Sequence, residues 1–191
     1  MIRPIYLYGS EVLRKVAAPA DLADKAGLET LVKDLWDTLD NSEGCGLAAP
    51  QIGESLRVAV VNGDIMADIY PYLQGFRRTF INPVVTASST QMCEYNEGCL
   101  SVPGIYADVR RPETITVEYY DEHLDKKTET FDKFAAHDPA RVLPPRRRAL
   151  HGPRGAHPPQ DAREKAHQHL PRQGGGCLQD QAEVACCSKA S

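Results

Sequence analysis

Five consecutive residues, Glu97-Gly98-Cys99-Leu100-Ser101, set a carboxylate, a residue without a side chain and a thiol side by side, with Val102-Pro103-Gly104 directly after them. A glycine next to a cysteine lets the backbone approach a ligand closely. A thiolate is either a nucleophile or a soft metal ligand. The competing reading of Cys99 is a buried, inert cysteine at the end of a strand. A second unusual stretch lies upstream, Gly44-Cys45-Gly46-Leu47-Ala48-Ala49-Pro50-Gln51-Ile52, with glycines flanking another cysteine and a glutamine after a proline.

The elements that must position these residues are legible in part. Leu28, Leu31, Val32, Leu35, Trp36 and Leu39 recur at helical spacing, which predicts an amphipathic helix from about Ala26 to Asn41 with Lys33, Asp34 and Asp37 on the outer face. Such a stripe is core packing and carries no chemistry. The glycines at 44–46 end that helix, and Leu56 to Val61 reads as a buried strand. An irregular segment from Asn62 to Arg78 follows. Phe80 to Val85 and Gln91 to Asn96 read as strands around a turn at Ser88-Ser89-Thr90. Thr114 to Tyr119 alternates with period two, a half-buried antiparallel strand, and Lys127 to Phe134 is its partner across the turn at 121–125. One helix followed by antiparallel strands is an α+β arrangement.

The bulk composition excludes some classes. A chain of 191 residues with formal charge −4 fits one domain and argues against general nucleic-acid binding. No apolar run approaches a membrane span. Six scattered cysteines without a disulfide framework point to a reducing cytoplasm.

The averages hide a break. Every Phe, Trp, Tyr and Ile lies at or before residue 136, whereas residues 137–191 hold five of the six histidines and half of the 14 prolines. Lys+Arg number 13 against 21 Asp+Glu up to residue 136, and 9 against 5 beyond it. The second stretch shows no apolar periodicity, and its prolines break any long helix. Alone it buries too little apolar surface to offset its chain entropy, so disorder is the default reading.

Together, the segments 44–52 and 97–101 resemble two of the three signature motifs of peptide deformylases, metallohydrolases that remove the formyl group from the initiator methionine of new proteins. The resemblance covers residues 1–136 and implies a peptide-deformylase-like α+β fold with antiparallel or mixed sheets and an N-terminal helix. It implies Cys99 as the thiolate ligand of one divalent ion, Fe2+ or Zn2+. It implies the Leu100 backbone N–H and the Gln51 side-chain amide as donors to the oxyanion, and Gly46 and Gly98 as backbone partners of an N-formylmethionyl peptide lying as an added strand. Cys45 would border the pocket for the methionine side chain. Blander readings stand beside these: Gln51 as a surface residue after a turn, Gly44 and Gly46 as a helix C-cap, Cys45 and Cys93 as small hydrophobes.

The family's third motif, a helical His-Glu-x-x-His that supplies two metal ligands, is absent. His137-Asp138-Pro139-Ala140-Arg141-Val142 stands in its place. Spelled in codons and read one base later, those six residues permit Met-Ile-Gln-His-Glu-Tyr. The same shift from Leu143 to Arg154 permits x-His-Leu-Asp-Gly-Val-Leu-Phe-Met-Asp-His, and Ala166 to Gly174 permits Leu-Ile-Asn-Ile-Ser-x-Gly-Lys. Most triplets leave only the middle base free, so a long match in register is informative. One triplet, from Leu143 into Pro144, does not yield the aspartate of the family pattern. Residues 137–191 therefore read as an out-of-frame translation, the metal-motif helix is lost, and the chain as written is expected to be inactive and poorly stable.

Two other classes compete. A non-catalytic protein would keep the peptide cleft and use Arg146-Arg147-Arg148 as an arm toward ribosomal RNA. A cysteine-based hydrolase or redox protein would use Cys99 as nucleophile, but no Cys-x-x-Cys and no credible partner histidine in the first 136 residues support it.

Overall fold

The structure, a computed structural model, describes residues 1–132, which fall within one compact unit, Met1–Gly155. The end of the strand expected from Lys127 to Phe134 and the expectations for residues 137–191, including the Arg146–Arg148 arm and the histidines, lie outside the described residues.

Helix α1 spans Lys25–Asp40. It starts where Asp24 caps it, the carboxylate accepting from the Gly27 N–H at 3.0 Å. Leu28, Leu31, Val32, Leu35 and Leu39 are buried as their spacing predicts. Asp34 departs from expectation: it is buried rather than on the outer face, with the Met1 ammonium at 2.6 Å and Arg3 at 3.6 Å. Those partners offset the cost of removing a carboxylate from water. Asn41 caps the C-terminus through its N–H to the Leu39 carbonyl, so neither Gly44 nor Gly46 is the cap.

Seven strands follow: β1 (Gly46–Ala48), β2 (Val58–Asn62), β3 (Arg77–Ser88), β4 (Met92–Cys99), β5 (Val102–Pro112), β6 (Thr114–Tyr120) and β7 (Lys126–Asp132). They form a five-stranded sheet in the order β1-β2-β3-β6-β7 and a two-stranded ribbon, β4-β5. Every strand pairing is antiparallel. The turn at 88–90 therefore does not close a hairpin; it carries the chain from the sheet to the ribbon. Strand β5 departs from the sequence reading, because Pro103, Gly104 and Pro112 hide any alternation and only its register with β4 defines it.

The sheet is covered on both faces. Leu28, Leu35 and Leu39 of α1 pack with Leu47, Ile52, Val58, Val60 and Ile81 on one side. Val61, Leu73, Phe80, Ile115, Val117, Tyr119 and Phe131 pack on the other. Strand β2 contributes to both, which explains its unbroken apolar run. Leu73 and the partly buried Met66, Tyr70 and Phe76, from the irregular connection, lie against the second core.

The β6–β7 turn closes on Asp121, whose Oδ1 accepts from the His123 and Asp125 N–H groups at 2.9 Å each, with Lys127 at 3.4 Å from Oδ2. Burial alone would raise this carboxyl; the two N–H groups and the ammonium outweigh it, and its pKa lies below the ordinary 3.8. A depressed carboxyl stabilises the fold above its unfolded value and loses that contribution as pH falls through the folded value. Thermal unfolding of the native chain and of Asp121→Asn should therefore differ at neutral pH and converge as pH falls below about 4. A gap that stays constant down to pH 2 would contradict this assignment.

Candidate functional site

The motif 44–52 crosses from surface to core within nine residues. Leu47, Ala49 and Ile52 are fully buried in the core beside α1, which leaves Gly44, Cys45 and Gly46 at the surface end of β1. The motif 97–101 forms the end of β4 and the tight connection to β5. Register shifts between Gly98 and Cys99, and Cys99 then pairs with Val102. That irregularity turns the Cys99 side chain outward, and the residue is exposed.

A cavity of about 410 Å³ lies between the two motifs, lined by Glu43, Gly44, Cys45 and Gly46 on one side and by Asn96, Glu97, Gly98, Cys99 and Leu100 on the other. Met66, Pro103, Gly104, Ile105 and Tyr106 complete its wall. Each side presents an edge strand among the described residues: β1 is outermost in its five-stranded sheet, and β4 belongs to a ribbon with β5. Edge strands are templates for another extended segment. A larger cavity of about 710 Å³ sits beside the start of α1, but no residue of either motif lines it.

Gln51 does not line the smaller cavity. Its Oε1 accepts from the Ala48 N–H at 3.0 Å, which orients the amide so that Nε2 donates to Ser101 Oγ at 3.0 Å. Ser101 is only 5% exposed. The lead-in segment bonds both motifs: Tyr6 N–H donates to the Gln51 carbonyl at 2.7 Å and Tyr8 N–H to the Ser101 carbonyl at 2.8 Å. Gln51 is thus a tie between the two motifs and not a loose surface residue.

Leu100 is partly buried against the core beside α1. A Cβ on Gly44 would lie 2.6 Å from Leu100 Cδ1, so the first glycine of one motif makes room for the leucine of the other. Gly44→Ala should cost about 1–3 kcal/mol through this overpacking. It should also raise the alkylation rate of Cys99 as the connection loosens; an unchanged melting temperature and rate would contradict the contact. Cys45 and Cys93 are half-buried.

Glu97 lines the cavity, is 11% exposed, and receives two bonds from Arg111, from Nε at 2.8 Å and from Nη2 at 2.9 Å. Arg111 and Ser101 were not singled out by sequence reasoning. Ser101 stands within a motif already noted. Arg111 is four residues beyond Ala107, the β5 partner of Glu97, on the same face of the ribbon, and only the register reveals it.

The donor set for a metal is incomplete among the described residues. No group of three His, Cys, Asp or Glu side chains comes together there. The one described histidine, His123, is exposed in the β6–β7 turn and does not line the cavity. Cys99 alone does not make a site for a divalent ion, which takes three or four ligands from a protein.

Known proteins give this arrangement its context. The family model described as polypeptide deformylase matches residues 2–139. Peptide deformylases of Flavobacterium johnsoniae and Christiangramia forsetii are 41% and 40% identical over 143 residues, covering 71% of this chain and 72% of each relative. A class I type b peptide deformylase of Acinetobacter baumannii superposes with a TM-score of 0.68 at 28% identity, covering 74% of this chain and 91% of that one. The peptide deformylase of Legionella pneumophila gives 0.64 at 35% identity, covering 76% and 88%. With two motifs brought to one cleft and a family match that spans most of its length, the chain belongs to the peptide deformylase family.

Proposed function

We propose that the cavity between β1 and β4 receives the first residues of an N-formylmethionyl peptide as a strand laid between the two open edges, and that it served hydrolysis of the formyl group. Gly46 and Gly98 pair with the peptide backbone, and Cys45 borders the methionine side chain. The Leu100 N–H and Gln51 Nε2, which stands behind the cavity lining on Ser101, donate to the oxyanion. An amide nitrogen carries two hydrogens, so Gln51 retains one after bonding Ser101. The observation that carries this reading is that an edge strand from each sheet, β1 and β4, borders one cavity lined by Cys99. An A. baumannii deformylase 27% identical to this chain has been solved with Met-Ala-Ser bound, which supports a peptide in this cleft.

The metal is a separate matter. The family is metal-dependent, yet the described residues contribute Cys99 alone. We infer that the two histidine ligands of an Fe2+ or Zn2+ site are encoded one base out of frame after Ala136, so that residues 1–136 are an incomplete deformylase domain and residues 137–191 its misread remainder. Three facts support this: the family match stops at residue 139, the Flavobacterium relative is matched over 72% of its length, and composition breaks at the same place. As written, the chain lacks turnover. The six cysteines without a disulfide framework fit a cytoplasmic setting, where nascent chains are processed.

Sequencing the coding DNA across the codons for 130–145 tests the inference: an inserted or deleted base is expected, and an uninterrupted frame would overturn it. The ribosome-binding alternative rests on Arg146-Arg147-Arg148. It predicts salt-sensitive RNA retention without formamide turnover.

A further inference from the structure

We infer that Tyr106 selects the side chain of the peptide residue lying opposite Gly98, favouring an aromatic or large apolar group there; this rests on the peptide occupying the cleft as a strand beside β4. Tyr106 is the register partner of Gly98. Partners across a ladder point to the same face, and neighbouring strands lie about 4.8 Å apart. Gly98 has no side chain, and the tyrosine ring fills the gap. A Cβ placed on Gly98 would meet Tyr106 Cε1 at 2.8 Å, Cδ1 at 3.1 Å and Cζ at 3.5 Å. The ring therefore reaches across β4 toward the side away from β5. It belongs to neither core, is 70% exposed and forms part of the cavity wall.

A peptide strand on that edge extends the row Tyr106–Gly98 by one residue, whose side chain rises on the ring's side of the ribbon. The bare backbone of Gly98 between them lets that side chain reach the ring, where aromatic contact adds to apolar burial. The next row on the same face pairs Asn96 with Asp108, and Asn96 Nδ2 donates to Asp108 Oδ1 at 2.7 Å. That row is polar, so the apolar preference is confined to one peptide position.

The test uses the full chain and formyl-methionyl peptides of glycine and serine, dye-labelled at the C-terminus, with one phenylalanine moved through the second, third and fourth positions. Fluorescence anisotropy gives each affinity. One position should bind about fivefold tighter than the glycine parent. Tyr106→Ala should collapse that ratio toward one, and Tyr106→Phe should keep it. A preference that survives Tyr106→Ala, or no preference at any position, overturns the inference while the cleft stands. If no peptide binds at all, the cleft reading falls and takes this inference with it.

Discussion

Read one base later after Ala136, the gene product should carry about one divalent ion per chain and hydrolyse formyl-methionyl peptides, whereas the chain as written should hold almost none. The reason is the number of donors. Cys99 lines the cavity, but no second or third ligand joins it among the described residues. A lone thiolate does not hold a divalent ion against water and buffer, while two imidazoles four residues apart on a helix and one thiolate make a tight three-ligand site. Turnover should differ by at least about a hundred- to thousandfold, since losing one preorganised oxyanion donor already costs that much. Metal content by atomic emission and formate release are the two measurements. Cys99→Ala in the restored version should lose the ion again. Bound metal and turnover in the unrestored chain would remove the frame inference.

The second large effect concerns the ion pair that Glu97 of the cavity lining makes with Arg111. Removing one partner of a buried pair leaves the other charge without compensation, at about 3–5 kcal/mol when burial is complete. Glu97 and Arg111 are 11% and 22% exposed, so water screens part of that, and about 2–3 kcal/mol is expected for Arg111→Ala. In a domain of this size such a loss lowers the melting temperature by roughly 6–15 °C. The ribbon depends on this pair more than a central strand would, because a two-stranded sheet is marginal alone. Glu97→Gln should cost less than Arg111→Ala, since it keeps one acceptor for the guanidinium. Arg111→Ala together with Glu97→Ala should cost less than the two single changes added. A melting temperature within about 2 °C of the parent for Arg111→Ala would show the pair to be an exposed-type contact worth little.

How much was legible beforehand depended on whether a property is local. Helix α1 and strand β6 carry their period in consecutive residues and stand within one residue of where the spacing put them, and β7 pairs with β6 as expected up to Asp132. The two motifs were legible for the same reason, being short runs of unusual residues. Strand β5 was not, because its prolines and glycine mask any alternation and its extension is imposed by β4. The burial of Asp34 escaped notice because its partners, Met1 and Arg3, are distant in the chain.

Residue order alone singled out the candidate side chains, the family they resemble, and the place near residue 136 where that resemblance stops. The fold decided how they meet: Gly44 yielding space to Leu100, Gln51 tied to Ser101, Glu97 to Arg111, and Tyr106 laid over Gly98. Each of those contacts joins residues that are far apart in the chain or four or more positions apart on a hairpin. Register and packing create such neighbours, and no local periodicity encodes them.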